Sequence, residues 1–147
     1  MSDLIRIQSL PHINDSLERQ HIDIPMTSED RQRVRRRLEA PDGEVFALEL
    51  PTGSVLPVGH ALFVTAKKIY QVAAAPEDVL CITPKTLDEA ALVGHLIGNL
   101  HRDIDIFEGQ VIALWTEPLE QKVQKAGLDY VRERRPFRGR PAGEHSH

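Results

Sequence analysis

The chain has 147 residues, of which 41% are hydrophobic and 27% charged, with a formal net charge of -4 and a single cysteine. These values are typical of one globular domain of ordinary size or of two small ones. They argue against non-specific nucleic-acid binding, against an internal disulfide and, since no apolar run approaches ~20 residues, against a membrane span. The first residues also lack the basic and apolar regions of a signal peptide. We therefore expect a cytoplasmic protein with neither nucleic-acid nor membrane partners.

The N-terminal half is predicted to be a small β domain. A short strand is expected from Leu4 to Gln8, and a β-hairpin from Asp30 to Leu50, with its turn at Pro41-Asp42-Gly43. Asp-Gly supplies the positive φ that such a turn needs. Two further strands are expected at residues 61–65 and 68–73, whereas the polar segment before Thr27, interrupted by prolines, predicts no regular element.

Four arginines in the predicted hairpin fall two residues apart: Arg31, Arg33, Arg35 and Arg37. On a strand they would share one face, because side chains alternate between faces. Two interpretations stay open. The face is either a solvated surface crossed by glutamates, or a docking surface for an acidic protein partner, since arginine pairs with carboxylates in a bidentate manner.

The C-terminal half alternates strands and helices. Its predicted elements are a buried strand at 79–83, a helix that opens at Thr86 with capping-box spacing to Glu89, strands at 104–106 and 111–115, a helix from Glu117-Pro118 to Gly127, and a last strand at 130–132. In the first helix Ala90, Val93, Ile97 and Leu100 form a predicted buried stripe. Cys81, inside the first strand, is interpreted as a small buried hydrophobe.

This order of elements predicts a ferredoxin-like βαββαβ domain. The predicted fold class is α+β: an N-terminal all-β domain, then the ferredoxin-like domain, then a flexible tail. The predicted boundaries are residues 1–75 for the β-rich, partner-binding domain, 76–137 for the ferredoxin-like domain and 138–147 for the tail, which carries His145 and His147.

The stretch from Gly94 to His101 ends the first predicted helix and places His101 where the helix gives way to a strand. Carbonyl groups at the end of a helix favour a nearby cation. A single imidazole is a poor metal site, however, and the chain has neither His-x3-His on a helix, nor Cys-x2-Cys, nor HExxH. On residue type alone, the favoured interpretation of His101 is a hydrogen-bonded or exposed surface residue rather than a metal ligand.

Gly98-Asn99-Leu100-His101, with the capped helix before it and the strand, helix and strand after it, resembles the urease accessory protein UreE family of nickel metallochaperones. The resemblance continues through the arginine-rich hairpin, the turn Leu56-Pro57-Val58-Gly59 and the histidine-bearing tail. It extends in the same order across nearly the whole chain.

The resemblance implies a protein that binds Ni(II) and delivers it to apo-urease, without turnover of its own. His101 falls on the motif histidine, which in that family binds the ion at the interface of a homodimer, and the tail histidines His145 and His147 are the further ligands it suggests. Zn(II) or Cu(II) would suit the same imidazoles. The implied partners are a second copy of the chain, the urease apoprotein complex and its accessory GTPase.

The sequence departs from the family pattern at two places. Trp115 and Glu117 stand where some members carry a second histidine pair, so no second site is expected there. Leu96 stands where some have a further histidine, and His95 beside it is rotated by about 100° on a helix, which leaves it out of the predicted site.

The sequence is less typical of other classes of function than of a metal chaperone. The alternative is a non-metal adaptor that joins proteins in an assembly complex through its N-terminal β domain. An enzyme is disfavoured because Asp103 and Asp105, two apart, more often mark a solvated strand face. An RNA-binding module is disfavoured because the central strands lack stacking aromatics.

Overall fold

A computed structural model describes residues 4–139, and the chain divides into two compact units, Met1–Ala74 and Ala75–His147. None of the helices within the described residues is long and apolar enough to cross a lipid bilayer. The first unit contains, in chain order, β1 (Ile5–Ile7), β2 (Gln20–Met26), α1 (Ser28–Gln32), β3 (Arg35–Glu39), β4 (Val45–Glu49), β5 (Ala61–Val64) and β6 (Lys68–Ala74).

Two three-stranded sheets build this unit, in the orders β1-β4-β3 and β2-β6-β5. The predicted hairpin is confirmed, since β3 and β4 pair antiparallel with Arg37 opposite Ala47. Gly43 in its turn has a φ of 91°, the left-handed conformation that the Asp-Gly pattern predicts. One face of each sheet contributes to a common apolar core in which Phe46 and Leu56 are fully buried.

Strand β2 lies where no regular element was predicted. The segment alternates cleanly, with Ile22, Ile24 and Met26 buried and the residues between them exposed. Pro25 does not break the strand because β2 is at the edge of its sheet, where a residue without an N–H group is tolerated. The alternation was the available signal, and the proline masked it.

A short helix, α1, corrects the prediction of an all-β N-terminal domain. Thr27 caps it: its hydroxyl accepts from the amide of Asp30, whose carboxylate accepts from the amide of Thr27.

Because α1 replaces the start of the predicted strand, the prediction that four arginines share a strand face is wrong for two of them. Arg33 follows the helix and Arg31 lies within it, only 3% exposed. The guanidinium of Arg31 donates to the carbonyl of Met26 and to the Ser28 hydroxyl.

Asp42, in the β3–β4 turn, links the hairpin to β6. Its carboxylate accepts from the hydroxyl of Tyr70 at 2.7 Å, from Lys68 Nζ at 3.0 Å and from the amide of Glu44. Chiefly through the Tyr70 hydrogen bond, the pKa of Asp42 falls to about 2. Burial and the same hydrogen bond raise the pKa of Tyr70 to about 12.

The second unit contains β7 (Pro76–Thr83), α2 (Leu87–Asn99), β8 (Asp105–Phe107), β9 (Gln110–Leu114), α3 (Glu117–Lys125) and β10 (Asp129–Pro136). Its strands form one antiparallel sheet in the order β10-β7-β9-β8, so the first and third strands of the unit lie at the centre. The predicted succession of strand, helix, strand, strand, helix and strand is confirmed, and the whole chain is α+β.

Helices α2 and α3 pack on one face of this sheet. Their buried residues Val93, Ile97, Leu119 and Val123 meet Leu80 and its neighbours on the central strands. The predicted stripe is confirmed at Val93 and Ile97 and partly at Leu100, but Ala90 is exposed. The buried stripe is therefore shorter than predicted and begins at Val93.

The opposite face of the sheet buries Val79, Cys81 and Ile112 beneath Phe137, which is 1% exposed. Cys81 is a buried residue, as predicted; burial, together with a hydrogen bond from its thiol to Glu133, raises its pKa to about 11.

The predicted tail, residues 138–147, lies mostly outside the described residues. Of its described part, the amides of Arg138 and Gly139 both donate to the carboxylate of Asp105.

Candidate metal-binding site

Helix α2 carries the predicted site at its C-terminal end. The helix begins as predicted, with the Thr86 hydroxyl accepting from the amide of Glu89. The reciprocal half of the capping box is replaced, because the Glu89 carboxylate accepts from the amide of Lys85 instead. From this start the helix runs through Gly94 and Gly98 without a break to its cap at Leu100.

His101 terminates the helix in a left-handed backbone conformation, with a φ of 54°. The amide of His101 donates to the carbonyl of Gly98 at 3.0 Å, and that of Arg102 is directed at the carbonyl of Ile97 at 3.5 Å. These two contacts form the Schellman motif, in which the left-handed position is usually a glycine. For a residue with a Cβ, this conformation is less favourable than the right-handed one by roughly 1–2 kcal/mol.

The residues that flank this corner hold it in place. Leu100 and Ile104 both pack against the core of the second unit, while His101 between them is exposed. Within residues 4–139 the imidazole of His101 makes no hydrogen bond or ion pair. The ring is thus displayed on a fixed backbone at the end of a helix whose final carbonyls favour a cation.

His145 and His147, the other predicted ligands, lie outside the described residues, so the structure places His101 alone of the three. Within the described part of the chain, no three His, Cys, Asp or Glu side chains come together as a metal-binding group. His101 therefore offers one imidazole from each chain, which is fewer ligands than a stable site of its own would need.

His95 lies on α2, six residues before His101, and is also exposed. The Asn99 side-chain amide approaches its Nε2 at 3.3 Å. This contact engages the ring nitrogen of His95 with a neighbour on the helix surface, whereas His101 has no such neighbour.

The position predicted to lack a second site is filled by a packed aromatic. Trp115 donates through its indole N–H to Glu120, and the guanidinium of Arg132 lies 3.9 Å from the centre of its ring. The carboxylate of Asp105, one of the two carboxylates that would mark an enzyme, accepts hydrogen bonds from two backbone amides. Neither side chain is arranged to bind an ion or a substrate.

Comparison with known proteins assigns the family. Residues 6–75 match the family described as UreE urease accessory protein, N-terminal domain. The urease accessory protein UreE of Synechococcus sp. (strain JA-3-3Ab) is 55% identical over 129 residues, which cover 87% of this chain and 86% of that protein. The UreE of Deinococcus radiodurans is 47% identical over 124 residues, covering 84% and 80%. That of Geobacillus kaustophilus is 28% identical over 129 residues, covering 88% and 84%.

Two of these relatives combine high identity with coverage of both units and of the helix end that bears His101. The chain belongs to the UreE family of urease accessory proteins.

Proposed function

We propose that this protein is a nickel metallochaperone of urease maturation, which holds Ni(II) as cargo between two copies of the chain and delivers it to apo-urease. His101 of both copies would bind the ion, and His145 and His147 would complete its coordination. The protein would act in the cytoplasm and catalyse no reaction, in keeping with relatives that are named accessory proteins.

The observation that carries this proposal is the backbone of His101. A left-handed C-terminal cap is most stable with glycine, and here an imidazole occupies it at a cost in stability, free of any partner among residues 4–139. Strained residues cluster at functional sites, so a strained residue whose exposed side chain has no partner among residues 4–139 is a candidate for a functional role. For an exposed imidazole at the negative end of a helix dipole, binding a cation is that function.

A second copy of the chain supplies what one imidazole lacks. Near His101 the outward face of α2 carries Gly94 and Gly98, one turn apart, and a Cβ built on either would meet no atom within 4 Å. Glycine in a helix is destabilising by ~0.5–1 kcal/mol, but it permits another backbone to approach closely. We infer that this face contacts the partner copy and brings the two His101 rings together.

The chemistry of the ligands suits transfer rather than storage. Imidazole binds Ni(II), Cu(II) and Zn(II), so the choice of nickel rests on the family and on the metal supplied. Two or a few imidazoles leave coordination positions open, through which an acceptor's ligands can enter before the chaperone's leave. The acceptor would be the urease apoprotein complex together with its accessory GTPase.

A second function, that of a non-metal adaptor, is favoured by one surface of the first unit. Arg35 and Arg37 lie on the exposed face of β3, and Arg6 lies opposite Ala47 on the other side of β4. Glu49 neutralises Arg6 through an ion pair. The remaining positive charge fits an acidic protein partner. In the chaperone, this surface would dock the acceptor; in an adaptor, docking would be the whole function.

Activation of apo-urease separates the two functions. Purified apo-urease complex and accessory GTPase would be mixed with GTP and with the Ni(II)-loaded chain, and urease activity measured with a chelator present to remove free nickel. We expect activation with the unaltered chain and with His95→Ala, an exposed histidine outside the site. We expect none with His101→Ala. If no chain activates with the chelator present, while with free Ni(II) and no chelator His101→Ala activates as well as the unaltered chain and Arg35→Glu/Arg37→Glu does not, the protein is an adaptor.

A further inference from the structure

We propose that His12 and His60 form a second site for a divalent first-row transition ion, in the first unit and separate from His101. This inference goes beyond the proposed function, because it concerns other histidines and another part of the chain. No sequence spacing announces it, since the two residues are 48 positions apart and neither lies in a metal-binding motif.

The two rings are already close enough to share an ion. Their centres are 6.2 Å apart, and their planes are inclined at 72°. With a metal–nitrogen distance of ~2.1 Å, two imidazoles on one ion have ring centres about 5–6.5 Å apart, depending on the angle at the metal. The observed separation of the two ring centres therefore lies within the range that one shared ion requires.

A backbone carbonyl fixes the state of His60. Its Nδ1 lies 3.0 Å from the carbonyl oxygen of Ala61. A carbonyl only accepts, so Nδ1 carries the proton and Nε2 of the neutral ring keeps its lone pair. Metal-binding histidines are commonly oriented in this way, by donation from the second ring nitrogen to a carbonyl, which fixes the tautomer and raises the basicity of the ligand atom.

His60 is also held firmly along the chain. Its amide donates to the carbonyl of Pro57 at 3.2 Å, and its own carbonyl accepts from Val72 on β6 at 3.0 Å. The segment that carries His12 is anchored by Leu10, which packs against the core of the first unit. Because His60 is fixed in this way before the ion arrives, it loses little conformational entropy on binding.

The rings open on a cavity of about 190 Å³ lined by Pro11–Ile13 and Gly59–Ala61. A water molecule takes up ~30 Å³ of liquid, so the cavity has room for an ion and several waters. Within residues 4–139 the His12 ring contacts His60 and makes no hydrogen bond, which leaves its nitrogens available. The site would hold its ion by two imidazoles and water, exchangeably.

Zinc is the probe that tests this site, because it is diamagnetic and accepts imidazole ligands. The full-length chain with His101→Ala, His145→Gln and His147→Gln lacks the site of the proposed function. It would be titrated with Zn(II) while binding is measured by calorimetry and the histidine side chains are followed by ¹H–¹⁵N NMR. We expect one ion per chain, a shift of the His60 Nε2 resonance, and an Nδ1 that stays protonated.

Adding His12→Gln or His60→Gln to this chain should lower its affinity for zinc about tenfold or more. The loss of a residue that only orients a metal ligand already lowers metal affinity by at least about tenfold, and here a ligand itself is lost. His21→Gln is the matched control: this exposed ring contacts Gln71 on the neighbouring strand, and its loss should leave binding unchanged. Circular dichroism would verify that each variant is folded. Absence of binding to the starting variant, or binding that survives the loss of both His12 and His60, would overturn the proposal, as would a zinc-induced shift confined to His95.

Discussion

Glycine in place of His101 would make the end of α2 more stable, but it would expose no imidazole there. The Schellman contacts to Gly98 and Ile97 would form equally well around glycine, which reaches a φ of 54° without strain. What glycine cannot supply is a ring nitrogen beside the helix terminus. Stability and function therefore make opposite demands on this residue, and a substitution can separate them.

Replacing His101 by glycine should stabilise the metal-free protein while removing nickel binding. Relief of the left-handed strain predicts a gain of about 1 kcal/mol in the free energy of unfolding of the second unit, partly offset by the flexibility of glycine in the unfolded chain. Urea titration without metal, monitored by Trp115 fluorescence, measures the gain. His101→Ala is the control: it also loses the imidazole but keeps the strain, so it should not be stabilised. Equal stability of the two variants would contradict the assigned backbone role.

Arg31 illustrates the opposite case, a charged residue whose role is structural. Arg31→Ala removes the donor to the Met26 carbonyl and leaves a void at a position only 3% exposed. We expect the first unit to lose about 2–3 kcal/mol of unfolding free energy. Arg37→Ala, on the exposed face of β3, should change it by less than about 0.5 kcal/mol. Similar losses from both variants, in matched chemical denaturation, would contradict the distinct placement of these arginines.

The position of His101 at the corner between a helix and a strand is predictable from the sequence, but its left-handed backbone is not, because glycine is the residue that usually indicates that conformation. Burial of Arg31 was equally hidden. An arginine at every second position predicts a strand face, and the competing signal was the Thr27–Asp30 capping box that starts α1.

Among the elements, the β3–β4 turn and β6 are joined through Asp42 and Tyr70, and this contact should be visible in the pH dependence of stability. The folded pKa of Asp42, about 2, lies below its ordinary 3.8, so the stability it contributes is present above pH 4 and is lost as the pH falls toward 2. For Tyr70 the folded pKa, about 12, lies above 10.0, so its contribution is lost as the pH rises through that interval.

Tyr70→Phe should raise the pKa of Asp42 toward its ordinary value, because the strongest hydrogen bond to the carboxylate is gone. Carboxyl ¹³C NMR measures that pKa directly, and acid unfolding between pH 4 and pH 2 should lose part of its steepness. Lys68→Met, which removes a lesser contributor, should raise the same pKa less. A pKa of Asp42 that responds to Lys68→Met but not to Tyr70→Phe would show that the ion pair, not the hydroxyl, controls the turn.

Substitution of the two glycines on the outward face of α2 tests whether this face contacts a second copy. Gly94→Ala and Gly98→Ala should each stabilise an isolated helix by ~0.5–1 kcal/mol, because both sites have room for a Cβ. If this face meets a second copy, the same methyl groups push the two backbones apart and raise the dissociation constant of the dimer. Sedimentation equilibrium gives that constant. An unchanged dimer together with a stabilised chain would mean that the face is free.

The elements themselves were largely predictable where one signal dominated. Helix α2 combines a cap at Thr86 with apolar residues at helical spacing, and the β3–β4 turn contains Asp-Gly, so both were identified. Strand β2 was missed because Pro25 outweighed a clear alternation of buried and exposed residues. Strand β10 was predicted too short, since its charged residues from Glu133 onward hid a strand held by pairing with β7 and closed by buried Phe137.

For the whole molecule, the proposed functions fall on different units. The second unit presents His101 at a helix end and the glycine-bearing face of α2 that we propose contacts a second copy, while the first carries a basic strand surface and the pair His12 and His60. The order of elements along the chain was enough to predict the topology of the second unit. Contacts between distant residues, such as that between His12 and His60, leave no periodic trace in a sequence and required the structure.

The proposed function requires that one nickel ion be held between two chains by His101. Calorimetric titration of Ni(II), with the molar mass determined by light scattering in the same buffer, tests this on chains that carry His12→Gln and therefore lack the second proposed site, with His101 either unaltered or replaced in His101→Ala. We predict one tightly bound ion per two chains and loss of that binding in His101→Ala, with the dimer retained. Tight binding that persists in His101→Ala, or one ion on each of two independent chains, would contradict the account.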